Sequence, residues 1–246
     1  AMLIIRNDAG YLRLSELLTA AYVGKDRNIH HAELNPEWLE SGDNSGLICL
    51  SGAHYGEVGV NLLNGNEDAA RAAALKYAAW FPDAFYLELQ RLPERPEWEA
   101  CVSGSVKLAE ELGLPVVATH PTQFMSSDDF NAHEARVCIA GGWVLTDKKR
   151  PRDFTPSQFF IPPETMAERF ADLPEALENT VEIAKRCNLH ITLGKNFLPL
   201  FPTPDGLSLD DYLVKLSNEG LQERIVQLYP NEAERAEKMP EYQERL

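Results

Sequence analysis

The stretch LPVVATHPTQF, Leu114 to Phe124, decides how the chain is read. Val116, Val117 and Ala118 form a short apolar run with two β-branched residues, and Pro121, which has no N–H to give to a ladder, stops it. Such a run between turn signals reads as a buried strand. The helical pattern ahead of it, Glu97–Leu112, ends at Gly113, the residue type that closes helices in the left-handed conformation. A helix handing over to a buried strand is one step of a β/α unit, and ligands of such folds gather past the carboxyl ends of strands. His120 stands at that place. The residues leave three readings open: a metal ligand, the remains of one, or a histidine in a plain turn.

Working outward, GLICLSG (Gly46–Gly52) is a second buried strand closed by a glycine turn, and AFYLELQ (Ala84–Gln90) a third. Met2–Arg6 reads as a strand leading to a helix that Asn7 or Asp8 can cap, with Tyr11, Leu14, Leu17, Leu18 and Tyr22 on one face. Helical spacing recurs over Glu57–Leu63, Glu67–Trp80 and Asp128–Ala140, with a short helical turn at Pro36–Leu39. The alternation predicts an α/β fold built of parallel β/α units, in an open sheet or a barrel. After Gly142 the pattern changes: Pro151, Pro156, Pro162, Pro163 and Pro174 punctuate short elements. Pro174 suits the first turn of a helix running to about Cys187, and HITLG (His190–Gly194) reads as a further strand. Asn196–Gly206 is a proline-rich connector, and Ser208-x-x-Asp211 opens a helix carrying Leu213, Leu216, Leu221 and Ile225. A domain boundary is expected at roughly residue 200.

With 246 residues, 44% of them hydrophobic, the chain can bury a substantial core. No apolar run approaches the ~18 residues of a membrane span, and no signal-peptide pattern is found. Four scattered cysteines without a C-x-x-C pair suit reduced thiols, so a cytoplasmic setting is expected. The net charge of −15 disfavours autonomous nucleic-acid binding. The local exception is DKKRPRDF, where Lys148, Lys149, Arg150 and Arg152 crowd together and read first as a solvated loop. Ala1 ahead of Met2 has the look of a cloning scar, and the chain is expected to be a cut from something longer.

No P-loop, G-x-G-x-x-G, G-x-S-x-G or H-E-x-x-H occurs, which removes the commonest nucleotide, hydrolase and zincin readings. What remains is a scatter of imidazoles and carboxylates. In YLELQ, Tyr86, Glu88 and Gln90 share one side of the strand. If that side faces a barrel lumen, Glu88 is an oxygen ligand for a divalent metal; otherwise it is exposed, or paired with Arg91 or Arg95. His133, early in a helix, completes the candidate metal set Glu88, His120 and His133, a combination seen in metal-dependent phosphoester hydrolysis. No pair has a diagnostic spacing, and His30, His31, His54 and His190 have no better context.

Whole phrases say more than spacings. AHEARVCIAGGWVL (Ala132–Leu145), RDFTPSQFFIPPETMAERFADLPEALENTVEIAKRCN (Arg152–Asn188) and FLPLFPTPDGLSLDDYLVKLSNEGLQERI (Phe197–Ile225) closely resemble bacterial replicative DNA polymerase III alpha subunits. The match lies at the end of their polymerase-and-histidinol-phosphatase (PHP) domain and runs into the polymerase module. LICLSGAHYGEVGVNLLNGN (Leu47–Asn66) and AFYLELQR (Ala84–Arg91) look like the same domain.

The resemblance implies the carboxyl-terminal portion of a distorted seven-stranded β/α barrel over residues 1–200. Its amino-terminal strands and metal motifs are expected to lie upstream. Residues 201–246 would be a connector and the first helices of the polymerase module, leading toward the palm. Family members with an intact metal site carry Asn-Asp-x-His after this strand; here those places hold His120, Pro121, Thr122 and Gln123. Glu88 falls where the family has a strand glutamate that can ligate metal, and His133 matches a recurring Ala-His-Glu phrase, more in keeping with packing. The implied metal site is therefore degraded. No catalytic residue and no cofactor are expected within the chain, while Mg²⁺ is implied for the parent polymerase. The implied role is a scaffold that docks the proofreading exonuclease subunit, with DNA and the sliding clamp met elsewhere in the parent. A truncated barrel would expose strand edges, so a homodimer of the fragment is a further expectation.

Overall fold

The computed structural model describes residues 1–246, apart from the side chain of Asp205. Two compact units form, Ala1–Ile191 and Thr192–Leu246. The larger is an α/β unit on a four-stranded sheet of order β1-β2-β3-β4, made by β1 (Met2–Ile5), β2 (Leu47–Leu50), β3 (Phe85–Gln90) and β4 (Val116–Thr119). Between them run α1 (Asp8–Val23), α2 (Pro36–Glu40), α3 (Glu57–Leu63), α4 (Glu67–Trp80) and α5 (Glu99–Leu112). After β4 come α6 (Phe130–Gly141), α7 (Pro163–Arg169) and α8 (Pro174–Arg186).

β2, β3 and β4 are parallel, as the β/α alternation predicts. β1 is a correction to that expectation: it pairs antiparallel with β2, from Met2↔Leu50 to Ile5↔Leu47. The backbone geometry explains it. Arg6 N–H continues the ladder to the Gly46 carbonyl at 2.9 Å, so the end of β1 lies beside the start of β2. The first turn of α1, capped by the Asn7 side chain, then rests on the backbone of Gly46. A Cβ on Gly10 would stand 1.9 Å from the Gly46 oxygen, so this approach demands glycine.

Every residue of β2 is buried, and Leu47, Ile48, Phe85, Leu87 and Val117 anchor the main core. Helices α3, α4 and α5 pack together on one side, and α8 packs on β4. A smaller cluster joins Leu89, Val102 and Ala118 to Phe170 and Ala176. Phe170 is fully buried, worth about 2–3 kcal/mol by area, and it carries the Arg91 guanidinium over its ring. Gly113, at φ 66°, closes α5 in the left-handed conformation and releases the chain into β4.

HITLG forms no strand, a second correction. His190–Gly194 has no ladder partner, and Ile191 and Leu193 are exposed. Its alternation supplies β propensity, but the only ladder-like contact nearby among the described residues is Asn188 N–H to the Arg6 carbonyl, at 2.7 Å past the end of β1. In the second unit α9 (Leu209–Leu228) starts at Ser208, whose hydroxyl accepts from Asp211 N–H, and packs on α10 (Glu232–Arg245) around the buried Ile225. Among the described residues no helix is long and apolar enough to cross a membrane.

Candidate functional site

The carboxyl ends of the three parallel strands carry the polar residues of interest. The register sets Glu88 beside Val117 and Gln90 beside Thr119, so Glu88, Gln90 and Thr119 share one side of the sheet. Glu88 is 3% exposed and pairs with neither Arg91 nor Arg95. Its carboxylate instead ends a hydrogen-bonded network. Thr119 Oγ1 donates to Oε1 at 2.5 Å, Gln90 Nε2 donates to the same oxygen at 3.1 Å, and Gly52 N–H donates to Oε2 at 3.1 Å. Gln90 also donates to Thr119 Oγ1 at 3.0 Å, and Glu88 N–H donates to Ser51 Oγ at 2.9 Å. Three donors on one carboxylate offset the cost of burying it. The network ties the ends of β2, β3 and β4 together.

His120 follows β4 and is held at both ring nitrogens. Nε2 lies 3.0 Å from the Phe159 carbonyl and must donate to it, which leaves Nδ1 to accept from Arg169 Nη1 at 3.2 Å. The ring is thereby fixed as the neutral Nε2–H tautomer. Burial pulls the His120 pKa down, with the Arg169 charge adding to the effect and the Phe159 carbonyl opposing it. The stretch after His120 is clamped by a segment some 35 residues on. Gln123 N–H donates to the Gln158 carbonyl and Phe160 N–H to the Phe124 carbonyl. The buried Gln158 side chain donates to the Pro121 carbonyl and accepts from Thr155 N–H.

His133, on α6, is buried away from Glu88. Its Nδ1 accepts from Arg136 Nη2 at 3.3 Å, and its ring meets Phe154 edge-on at 4.6 Å. Burial lowers its pKa, Arg136 lowers it further, and Glu134 opposes. The structure therefore does not bring the three predicted ligands together. Among the described residues no group of three or more His, Cys, Asp or Glu side chains is arranged to hold a metal ion. His120 spends both ring nitrogens within the protein, and Glu88 accepts three hydrogen bonds there.

Two features escape a local reading of the sequence. His54 sits just past β2, after Gly52 in the left-handed conformation at φ 87°, and stacks on Trp98 with ring centroids 3.5 Å apart. Both of its nitrogens are buried without a hydrogen-bond partner among the described residues. Burial pushes its pKa down to about 4, Arg95 in the same direction and Glu97 against it. Arg150, from the basic run, is not solvated. It forms a buried ion pair with Glu134 at 2.5 Å, both side chains 6% exposed, and donates to the Leu145 and Pro151 carbonyls.

Comparison with known proteins places this architecture. Residues 1–92 match the PHP domain family. Over its whole length, the chain is similar to a part of DNA polymerase III alpha subunits. It is 97% identical over 246 residues to DNA polymerase III subunit alpha of Neisseria meningitidis serogroup A / serotype 4A, covering 100% of this chain and 22% of that protein. It is 48% identical over 240 residues to the subunit of Escherichia coli (strain K12), covering 98% of this chain and 20% of that protein. The subunit of Pseudomonas fluorescens is 45% identical over 230 residues, 94% of this chain and 19% of that one. The chain thus spans about a fifth of the length of the curated relatives it matches.

Proposed function

We propose that this chain is the PHP-type scaffold region of a bacterial replicative DNA polymerase alpha subunit, a docking platform beside a DNA-synthesising core. The observation that carries the reading is end-to-end identity of 97% with a protein of that name. On this reading residues 1–200 are the PHP part and residues 201–246 lead into the polymerase module. The parent works in the cytoplasm as a template-directed nucleotidyltransferase using two Mg²⁺ ions, bound by residues outside these 246. The proofreading exonuclease subunit docks on the PHP part, and DNA and the sliding clamp engage other parts of the parent.

The same reading makes the strand ends a closed, hydrogen-bonded structure in place of a metal centre. The three hydrogen bonds that Glu88 accepts from Thr119, Gln90 and Gly52 support it. The rival reading, a metal-dependent phosphoesterase using Glu88, His120 and His133, lacks a common ligand cluster among the described residues. Primer extension tests the proposal. The 246-residue chain is expected to extend no primer with Mg²⁺ and all four deoxynucleotides. A full-length alpha subunit carrying Glu88→Ala is expected to keep its extension rate within about twofold, a change of less than ~0.5 kcal/mol in barrier. Extension by the chain alone, or loss of extension in Glu88→Ala protein that remains folded, would overturn it.

A further inference from the structure

An apolar cavity away from the strand ends lies between the end of α6 and the segment that follows it. It has a volume of about 450 Å³, within the range of ligand and side-chain pockets. Val137, Cys138, Ala140, Trp143, Pro151 and Phe154 supply its apolar lining. Apolar surface continues beside it in sequence: Ile139 is 83% exposed, and Val144 and Leu145 are exposed as well. Burying such residues is favourable, and exposed apolar side chains near an apolar cavity suit an interaction surface.

Charge says what covers it. Arg136 and Arg150 also line the cavity, and Lys148, Lys149 and Arg152 flank Arg150 in sequence. Arg150 is neutralised by Glu134. Arg136, Lys148, Lys149 and Arg152 have no carboxylate within ion-pair distance among the described residues. The acids here, Asp153 in the cavity wall and Asp147 beside it in sequence, are outnumbered by these four cations, in a chain whose net charge is −15. A long polyanion would meet that overall field, whereas a short acidic segment meets chiefly the local cations. An apolar cavity with Trp and Arg at its wall is also the usual setting of an interface anchor.

From this we infer that the cavity between α6 and residues 143–154 docks a protein segment presenting one or two large apolar side chains flanked by carboxylates. The inference rests on the docking role proposed above and assigns it a surface. The apolar anchor fills the cavity, and its flanking acids meet Arg136 and the Lys148–Arg152 run.

Fluorescence anisotropy of a labelled peptide of sequence DELFDE against the 246-residue chain tests this. Binding is expected in the ~10–100 μM range. A peptide with serines in place of Leu-Phe is expected to bind at least about tenfold more weakly. Ala140→Tyr, at an exposed helix position lining the cavity, fills it while leaving every charge in place. Lys148→Glu/Lys149→Glu reverses the charge and leaves the cavity open. Each is expected to weaken binding about tenfold or more, with the circular dichroism spectrum unchanged, whereas Lys25→Glu changes nothing. No binding up to ~1 mM, or binding indifferent to both variants, overturns the assignment. Equal binding of the serine peptide and of single-stranded oligothymidylate overturns it in favour of a general anion patch. None of these outcomes bears on the primer-extension result, so the surface and the polymerase reading fail separately.

Discussion

Arg150→Ala is expected to cost the first unit about 3–5 kcal/mol, the range for removing one partner of a buried ion pair. The Glu134 carboxylate shows why. Its Oε2 has the Arg150 guanidinium at 2.5 Å, while its Oε1 has no hydrogen-bond partner among the described residues. Losing Arg150 leaves a buried carboxylate with no donor and also frees the Leu145 and Pro151 carbonyls. Repacking around the stranded side chain trims the cost without cancelling it. The double variant Glu134→Leu/Arg150→Met is expected to recover most of the loss, because the desolvation penalty disappears with the charges. Urea unfolding at neutral pH measures both. A cost under ~1 kcal/mol for Arg150→Ala would mean that the pair is not buried as described.

Acidification is expected to destabilise the fold through His54. Its ring is 8% exposed, stacked on Trp98, and has no hydrogen-bond partner at either nitrogen among the described residues. The folded state therefore resists protonation, with a pKa of about 4 against 6.5 for the ordinary histidine. The unfolded chain takes up the proton first as pH falls below about 6.5. Stability contributed by neutral His54 is thus fully present above that pH and is lost progressively down to about 4. Between pH 7.5 and 4.5 the loss amounts to about 2–3 kcal/mol. His120 and His133, whose pKa values are also lowered, act in the same direction. His54→Phe keeps the stack on Trp98 and removes the titration, so its urea midpoint is expected to fall less between those two pH values. Identical acid dependence in both proteins would show that His54 does not titrate as described.

Elements were legible in the sequence where local chemistry alone sets them. The continuous burial of Leu47–Leu50 follows from an unbroken apolar run, and Asn7, Gly113 and Ser208 sit at helix ends as their side chains dictate. Helices α3 and α4 fall on the residues their spacing predicts. What was not legible depends on distant partners. The direction of β1 is set by Gly46 meeting Arg6, after the chain has travelled through α1 and α2. The fate of HITLG depends on whether an edge is free to receive it, which alternation cannot report.

The candidate site divides in the same way. The shared side of Glu88 and Gln90 follows from strand periodicity, whereas the donors to Glu88 come from Gly52 and Thr119 on neighbouring strands. His120 takes its tautomer from Phe159 and Arg169. His54 takes its environment from Trp98, 44 positions away by numbering. Arg150 looked like one more solvated cation in a basic run because nothing local announces its pairing with Glu134. In each case the side chain is ordinary and the partner is remote.

On the proposed reading, Glu88 closes the strand ends by hydrogen bonding in place of ligating a metal. Thermal unfolding of the EDTA-stripped chain, with and without Mn²⁺ or Zn²⁺, tests it most directly. Any ion that binds the folded state stabilises it by mass action, about 2.7 kcal/mol at a hundred times Kd, or several degrees in Tm. No saturable shift is expected with either ion, and Glu88→Gln is expected to lower the Tm whether or not metal is present. A rise of several degrees that saturates with Mn²⁺ or Zn²⁺ and vanishes in Glu88→Gln would contradict it.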